Sequence, residues 1–409
     1  MKTYTVQDGD DLERVSTIAY GSADQAALIK NANPHAIGGL VSGMVLTIPE
    51  RPDAAPLELP PDVASLKENE VAVTVDGKRF HFWTEVELVR SIDSFDQFTM
   101  AAPFEPDNQA FRDVFTPLKF QRAVLHVEGK PLFTGTLLNP TPTFAADGRT
   151  ASCSGYALAG VLNDATTPPS GDLEFDSMTL RDIATAMAKP FGLLPVFEAD
   201  PGAALDRVAI GPEERILQFW AKEARQRNLV IGNNELGQPV FRRSTNIPPV
   251  QGLQGGASPV LSVSPQFDGQ QYFSHITART PSTIGVDGSQ YTVENPHLRG
   301  VLRPHVFTAD DTLSADSVEA AKAKMGRMFA DAIAYRVELA GWKNALGNLW
   351  APNTRVNLLA PSAMVYNETD FLIRRVTLRR TPKQDTATLE LVLPGSFEGI
   401  VPARLPWDS

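Results

Sequence analysis

The sequence predicts a mainly β fold with α+β parts: a small β-α-α-β unit, then a β segment that reads as a barrel or sandwich, a compact α+β module, and a last section of strands with one helix. Three observations lead there. Short runs of alternating apolar residues are bounded by turn pairs such as Asp76-Gly77 and Glu128-Gly129. Apolar residues at helical spacing are confined to a few windows. Proline is raised, at 32 of 409 residues, which favours turns and edge strands.

Residues 1–50 have their own start and stop. Thr3 to Val6 reads as a strand, and Leu12, Val15, Ile18 and Ala19 recur at helical spacing before Tyr20-Gly21. Ala26 to Ala32 reads as a second helix ended by Asn33-Pro34, and Val45 to Ile48 as a closing strand. A proline-rich linker is expected over 51–67. Residues 68–165 read as β: Val71 to Val75, Phe80 and Phe82, Val86 and Leu88, and Val124 to Val127. Residues 166–250 form the α+β module. Thr179 to Asp182 looks like a capping box opening a helix through Met187. Ile216, Phe219, Trp220 and Ala224 mark a second helix, and Leu229-Val230-Ile231 with Val240-Phe241 read as a hairpin turning at Asn233-Asn234. Within 251–395, Gly-, Ser- and Pro-rich residues 251–265 read as a loop. Strands and one helix at about 315–334, with Asp310-Asp311-Thr312 as its start, fill the rest; 396–409 reads as an extended tail.

The formal charge is −11 with no Lys/Arg-rich run, which disfavours a nucleic-acid binder. The single cysteine, Cys153, lies in an alternating stretch and reads as a small buried strand residue. No apolar run approaches membrane-spanning length, so no membrane anchor is expected. Met1 to Val6 lacks a signal pattern, so synthesis and assembly in a host cytoplasm are expected.

Two resemblances sharpen the reading. Tyr4-Thr5-Val6-Gln7-Asp8-Gly9-Asp10-Asp11-Leu12, then Ile18-Ala19-Tyr20-Gly21, Asn31-Ala32-Asn33-Pro34 and Gly43 to Pro49, resemble the LysM family in order and spacing. That resemblance implies a glycan or docking groove at Gly9, Asp10, Leu12, Asn33, Pro34 and Ile37. Asp11 stands where the family commonly has Thr, Glu13 adds charge, and no aromatic residue follows Leu12. A sugar floor is usually flat and apolar, so these departures favour docking of a protein.

Residues 68–395 resemble the baseplate hub family of Mu-like contractile tails. The matching stretches are Val71 to Phe80, Trp83-Thr84-Glu85-Val86, Arg90-Ser91-Ile92, Glu214 through Val230, Gly237, Val240-Phe241 and Leu349 to Val356. The resemblance implies tube-type barrels and a homotrimer that adapts a hexameric tail tube to a central spike. Implied neighbours are the tail tube protein, the spike, baseplate wedge or sheath-proximal proteins and the tape-measure protein, in a virion baseplate that DNA only passes through. Duplication within the chain is also expected. Phe133 to Leu138, Thr141-Pro142 and Thr150 to Cys153 are echoed by Phe371 to Leu378, Thr381-Pro382 and Thr386 to Leu389, so 68–165 and 266–395 should hold two copies of one barrel.

Enzyme signatures are missing. The six histidines, His35, His81, His126, His275, His297 and His305, have no metal-ligand spacing. Neither a Gly-x-Ser-x-Gly elbow nor a phosphate loop occurs. Acidic pairs such as Glu213/Glu214 and Asp310/Asp311 read as helix starts and solvated loops. No catalytic residue, cofactor or metal is therefore expected, and the function expected is a structural hub. The alternative is a LysM-targeted protein that binds or degrades peptidoglycan.

Overall fold

The computed structural model describes residues 2–6, 10–12, 14–16, 29, 33, 40–48, 63, 66–67, 69–146, 148–279, 290–308 and 314–408. At the N-terminus, strands β1 (Lys2–Thr5) and β2 (Val45–Ile48) pair antiparallel, Tyr4 opposite Leu46. Val6, Val15, Ile29, Leu46 and Ile48 form their core. Residues 12 and 14–16 are helical, as their spacing predicts. The Tyr20-Gly21 stop, most of the second helix, and most of the linker lie outside the described residues, as does the Asp310-Asp311-Thr312 start.

The first β segment comprises β3 (Val71–Val75), β4 (Lys78–Phe80), β5 (Glu85–Ser91), β6 (Gln97–Pro103), helix α1 (Gln109–Phe115), β7 (Arg122–Val127), β8 (Lys130–Ala145) and β9 (Gly148–Ala157). Asp76 and Gly77 both take positive φ, 47° and 78°, as a two-residue primed hairpin turn requires. β4 stops at Phe80, so Phe82 is outside the strand expected to contain it. Its ring sits 4.8 Å from that of Phe111 on α1, within an aromatic cluster that includes Phe80. That packing has overridden alternation.

The middle segment comprises α2 (Val161–Asp164), β10 (Glu174–Met178), α3 (Leu180–Ala188), β11 (Val196–Phe197), β12 (Leu205–Ala209), α4 (Ile216–Gln226), β13 (Val230–Asn233) and β14 (Pro239–Arg242). The capping box is present in full: Asp182 N donates to Thr179 Oγ1 at 3.2 Å, and Thr179 N to Asp182 Oδ2 at 3.3 Å. Phe219 and Trp220 are buried, as their helical spacing predicts. The β13–β14 turn abuts the first segment so closely that a Cβ on Gly237, φ +76°, would fall 2.3 Å from Thr134 O. Only glycine fits that approach.

The last segment comprises β15 (Gly252–Gln254), β16 (Val260–Phe267), β17 (His275–Arg279), β18 (Gln290–Glu294), β19 (Pro304–Thr308), α5 (Ser314–Ala332), β20 (Ile333–Ala340), β21 (Arg355–Ala360), β22 (Val365–Arg380) and β23 (Asp385–Val392). Two expectations are corrected. Residues 251–265 are not a loop: β15 pairs β21 and β16 pairs β20. Both lie at sheet edges, where Gly, Ser and Pro are tolerated because one row of backbone groups needs no partner. Nor is 396–409 a free extended tail. Phe397 and Leu405 are buried, and the segment crosses α5 where Gly326 faces Gly399, a Cβ on Gly326 reaching 3.0 Å from Gly399 Cα.

Strands of the first and last segments form one 13-stranded sheet, running β16-β20-β23-β22-β5-β6-β9-β8-β7-β3-β4, with β21 and β15 continuing from β22. Among the described residues this sheet closes on itself nowhere, so the two barrels expected are open and fused through β22 and β5. Within the sheet one order occurs twice. In the first segment it is β5-β6-β9-β8-β7-β3; in the last it is β16-β20-β23-β22-β21-β15, with corresponding strands in the same chain order throughout, the outermost, β3 and β15, preceding the rest. The outermost pair differs in sense, since β3 is antiparallel to β7 and β15 is parallel to β21. The sequence echoes do not align residue by residue. Leu137 and Ile373 occupy the same place, each donating its N–H at 2.8 Å to the residue before the preceding strand, Gln121 and Thr354. Thr141-Pro142 therefore lies inside β8, whereas Thr381-Pro382 follows β22.

His126 on β7 is buried, with Nε2 3.2 Å from Thr74 Oγ1 and no partner at Nδ1. Burial alone pushes it down to about 4. A group that must stay neutral to remain folded withdraws stability as pH falls below its unfolded value near 6.5, until pH reaches its folded value near 4. Denaturant titrations between pH 7 and pH 4.5 should show a loss of up to about 3 kcal/mol from this residue. His126→Phe should flatten that slope; an unchanged slope would assign it elsewhere.

Candidate interaction surfaces

The seam between β5 and β22 unites the two halves. Val86, Leu88 and Arg90 share one face of β5, so alternation turns Arg90 inward beside two fully buried apolar residues. Its guanidinium donates to Asp96 Oδ2 at 3.2 Å and Glu235 Oε1 at 2.9 Å. Asp96 N donates to Asn233 Oδ1 at 2.6 Å, so the β13 end is held by the same cluster. Burial pushes Asp96 up to about 6 against the pull of Arg90, leaving it ionised at neutral pH.

On β22, Arg374 donates to Asp93 Oδ2 at 3.0 Å and Asp331 Oδ1 at 3.2 Å, and lies 3.6 Å from Glu390. Burial opposes ionisation of Asp93, but Arg374 beside it and the Ser91 hydroxyl hold it below the usual carboxylate range. This network ties the β5–β6 turn, α5, β22 and β23 into one cluster. Sequence reasoning missed both networks. The available signal was a charge, Arg90, at the buried parity of an otherwise apolar strand.

Among the described residues, two of the unpaired strand edges of the large sheet correspond to strands that pair inside the chain. Beyond Leu137, β8 pairs only β9, and β16 pairs only β20. Their apolar residues are exposed, Phe144 by 79% and Phe267 by 46%, whereas Val376, Leu378, Val86 and Leu88 at the seam are fully buried.

Of the expected groove residues, Gly9, Pro34 and Ile37 lie outside the described residues. Asp10 accepts from Tyr4 Oη at 2.8 Å and pairs with Arg14 at 3.4 Å. Burial, with Asp10 second, pushes the Tyr4 hydroxyl up to about 12. Asn33 is buried: its Nδ2 donates to the carbonyls of Ile29 and Thr47, and Thr47 N donates to its Oδ1 at 2.7 Å. Leu12 packs on the small core. The module thus uses these three side chains internally. Among the described residues no group of three or more His, Cys, Asp or Glu could hold a metal, and Cys153 is buried, its thiol pushed up to about 11.

Removing one partner of a buried ion pair strands the other. Arg90→Ala should cost about 3 kcal/mol in chemical denaturation, and Arg90→Met with Asp96→Leu should recover part of it. A loss below about 1 kcal/mol in the single variant would show the cluster to be solvated.

Comparison with known proteins agrees with this architecture. Residues 159–243 match the family described as baseplate hub protein gp44-like, second domain. The baseplate hub protein gp44 of Escherichia phage Mu is 24% identical over 324 residues, covering 76% of this chain and 84% of that protein. The 43 kDa tail protein of prophage MuSo2 from Shewanella oneidensis has a TM-score of 0.69 at 22% identity, covering 80% of this chain and 99% of its own. A tail protein from Neisseria meningitidis MC58 gives 0.69 at 21%, covering 82% and 99%. In sequence and fold this chain is therefore similar to the baseplate hub and tail proteins of Mu-like phages and prophages, and its residues 159–243 match the gp44-like hub family through that family's second domain.

Proposed function

We propose that this chain is a structural baseplate hub subunit of a contractile phage or tailocin tail, acting as a trimeric symmetry adaptor without enzymatic activity. The observation that carries the proposal is the strand order repeated in the first and last segments. Three copies closed by cyclic symmetry would present six similar sheet units. A threefold body can then stack on a sixfold tail tube and hold a central spike on its other side. The acidic balance of the chain suits a conduit that releases passing DNA.

The LysM-like module would dock peripheral baseplate proteins, wedge or sheath-proximal, and the tape-measure protein is a further proposed partner of the hub. Supporting this over glycan binding, Asp10 and Asn33 have their side-chain polar atoms committed inside the module. The groove at Gly9, Asp10, Leu12, Asn33, Pro34 and Ile37 is proposed as its docking face, with the side chains of Asp10, Leu12 and Asn33 shaping it from within rather than reaching the partner.

Light scattering of the hub–spike complex should give three hub chains; six would overturn the adaptor. Deleting residues 1–50 should leave the remainder folded and reduce attachment of peripheral baseplate proteins. Should the deletion abolish only sedimentation with purified peptidoglycan, the module binds glycan instead. Clearing of peptidoglycan in a zymogram would overturn the non-enzymatic reading.

A further inference from the structure

We propose, resting on the trimeric reading above, that copies join through the outer edge of β8 at Pro140, Pro142 and Phe144 and the outer edge of β16 at Val263, Pro265 and Phe267 of the next copy. The joint is an apolar seam that replaces much of a hydrogen-bond ladder.

The register comes from the seam inside the chain. There Val376 faces Arg90, Leu378 faces Leu88 and Arg380 faces Val86. Leu137 corresponds to Ile373, and each is followed by a register shift against the next strand, so Asn139 corresponds to Arg375. Asn139 pairs with Ser154, which pairs with Thr99, which pairs with Glu87. Arg375 pairs with Glu390, which pairs with Arg336, which pairs with Ser264. Glu87 thus corresponds to Ser264, and β5 to β16 along its length. Carrying the internal seam over, Pro140 would face Phe267, Pro142 would face Pro265, and Phe144 would face Val263 of a neighbour.

Three features favour that occupant. The β8 stretch and β16 are the unpaired counterparts of strands that pair inside the chain, so a second copy supplies the missing neighbour in the geometry already present. The six residues brought opposite are all apolar, yet β8 from Thr141 to Ala145 is exposed and Pro265 and Phe267 are exposed. Four of their six counterparts, Val376, Leu378, Val86 and Leu88, are fully buried, and the other two are Arg90 and Arg380.

The third feature is backbone chemistry. Ile92 N donates to Arg374 O at 2.9 Å, so Val376, Leu378, Arg90 and Leu88 turn their backbone groups toward one another. Asp268 N donates to Ala332 O at 2.9 Å, which leaves Phe267, Pro265 and Val263 facing outward from β16. Of the six nitrogens along the joint, those of Pro140, Pro142 and Pro265 cannot donate. Prolines on both edges weaken pairing of single chains and resist open-ended strand addition. Closure of a ring, in which each copy makes two joints, supplies what one joint lacks.

The test is a cysteine pair at Thr141 and Gln266. Their counterparts Thr377 and Val89 are opposite each other, at a position without mutual backbone bonds. Such pairs bring Cα atoms to roughly 4.5 Å, within disulfide reach. Full-length chain carrying both Thr141→Cys and Gln266→Cys, oxidised at high concentration, should give a closed three-chain species on non-reducing gels. Each single variant should stay monomeric. Ser91→Cys with Arg375→Cys, crossing the internal seam, is the control for oxidation.

Monomers, or an open ladder without a three-chain limit, would overturn the joint. If light scattering meanwhile gives three chains in the hub–spike complex, the adaptor survives and only this interface fails; any other stoichiometry overturns both. As a second readout, Pro142→Val with Pro265→Val restores two donors and should lower the concentration needed for assembly at least about tenfold. Unchanged or weaker assembly would overturn the proline-interrupted ladder.

Discussion

The pairing of β5 with β22 is the constraint on which the molecule depends. It joins residues 283 positions apart, as between Ser91 and Arg374, and makes one sheet of what would be two half-open ones. Closing so long a loop has an entropic cost that grows slowly with length, so the seam needs only moderate local strength. Its buried apolar residues and the Arg90 and Arg374 networks supply that strength. Each network also reaches beyond the seam: Arg90 through Asp96 to the middle segment, Arg374 to α5 and β23. The relative placement of three segments is thereby set at one location.

Buried ions are a costly way to hold a structure together, because charges removed from water must regain in pairing what they lose in hydration. Apolar residues alone could seal the seam. What charge adds here is discrimination: Arg90 meets Glu235 only when the first and middle segments are in register, and Arg374 meets both Asp93 and Asp331 only when the β5–β6 turn and α5 both arrive. We regard this as the reason for charge at a buried parity, a specificity role known for buried polar groups in other folds.

Much of the fold was legible in the sequence because the controlling forces are local. The capping box at Thr179 and Asp182, the Asp76-Gly77 turn, the helical face of Phe219 and Trp220, and the burial of Cys153 each follow from a few neighbouring residues. The errors share a cause too. β15 and β16 read as a loop because edge strands need neither alternation nor β-formers, and their partners lie about 70 to 105 residues away. The tail read as extended because its prolines are local, while the cleft it fills beside α5 is not. Phe82 left its strand for an aromatic cluster. As for the candidate site, the groove came from family resemblance, and half of it lies outside the described residues. The open edges were invisible because exposure of β8 and β16 is defined by a partner strand being absent, which no local pattern encodes.

The long separation across the seam has a consequence during synthesis. A ribosome adds about 5–20 residues per second, so β5 emerges roughly 15 s to a minute before the strand that will cover it. Through that interval Val86 and Leu88 border an uncovered edge on a nascent chain, and polysomes place many such edges close together. The first segment must therefore shield or delay that edge, or recruit a chaperone to do so. Codon choice between the two strands then becomes a physical variable, since it sets how long the half-built sheet waits.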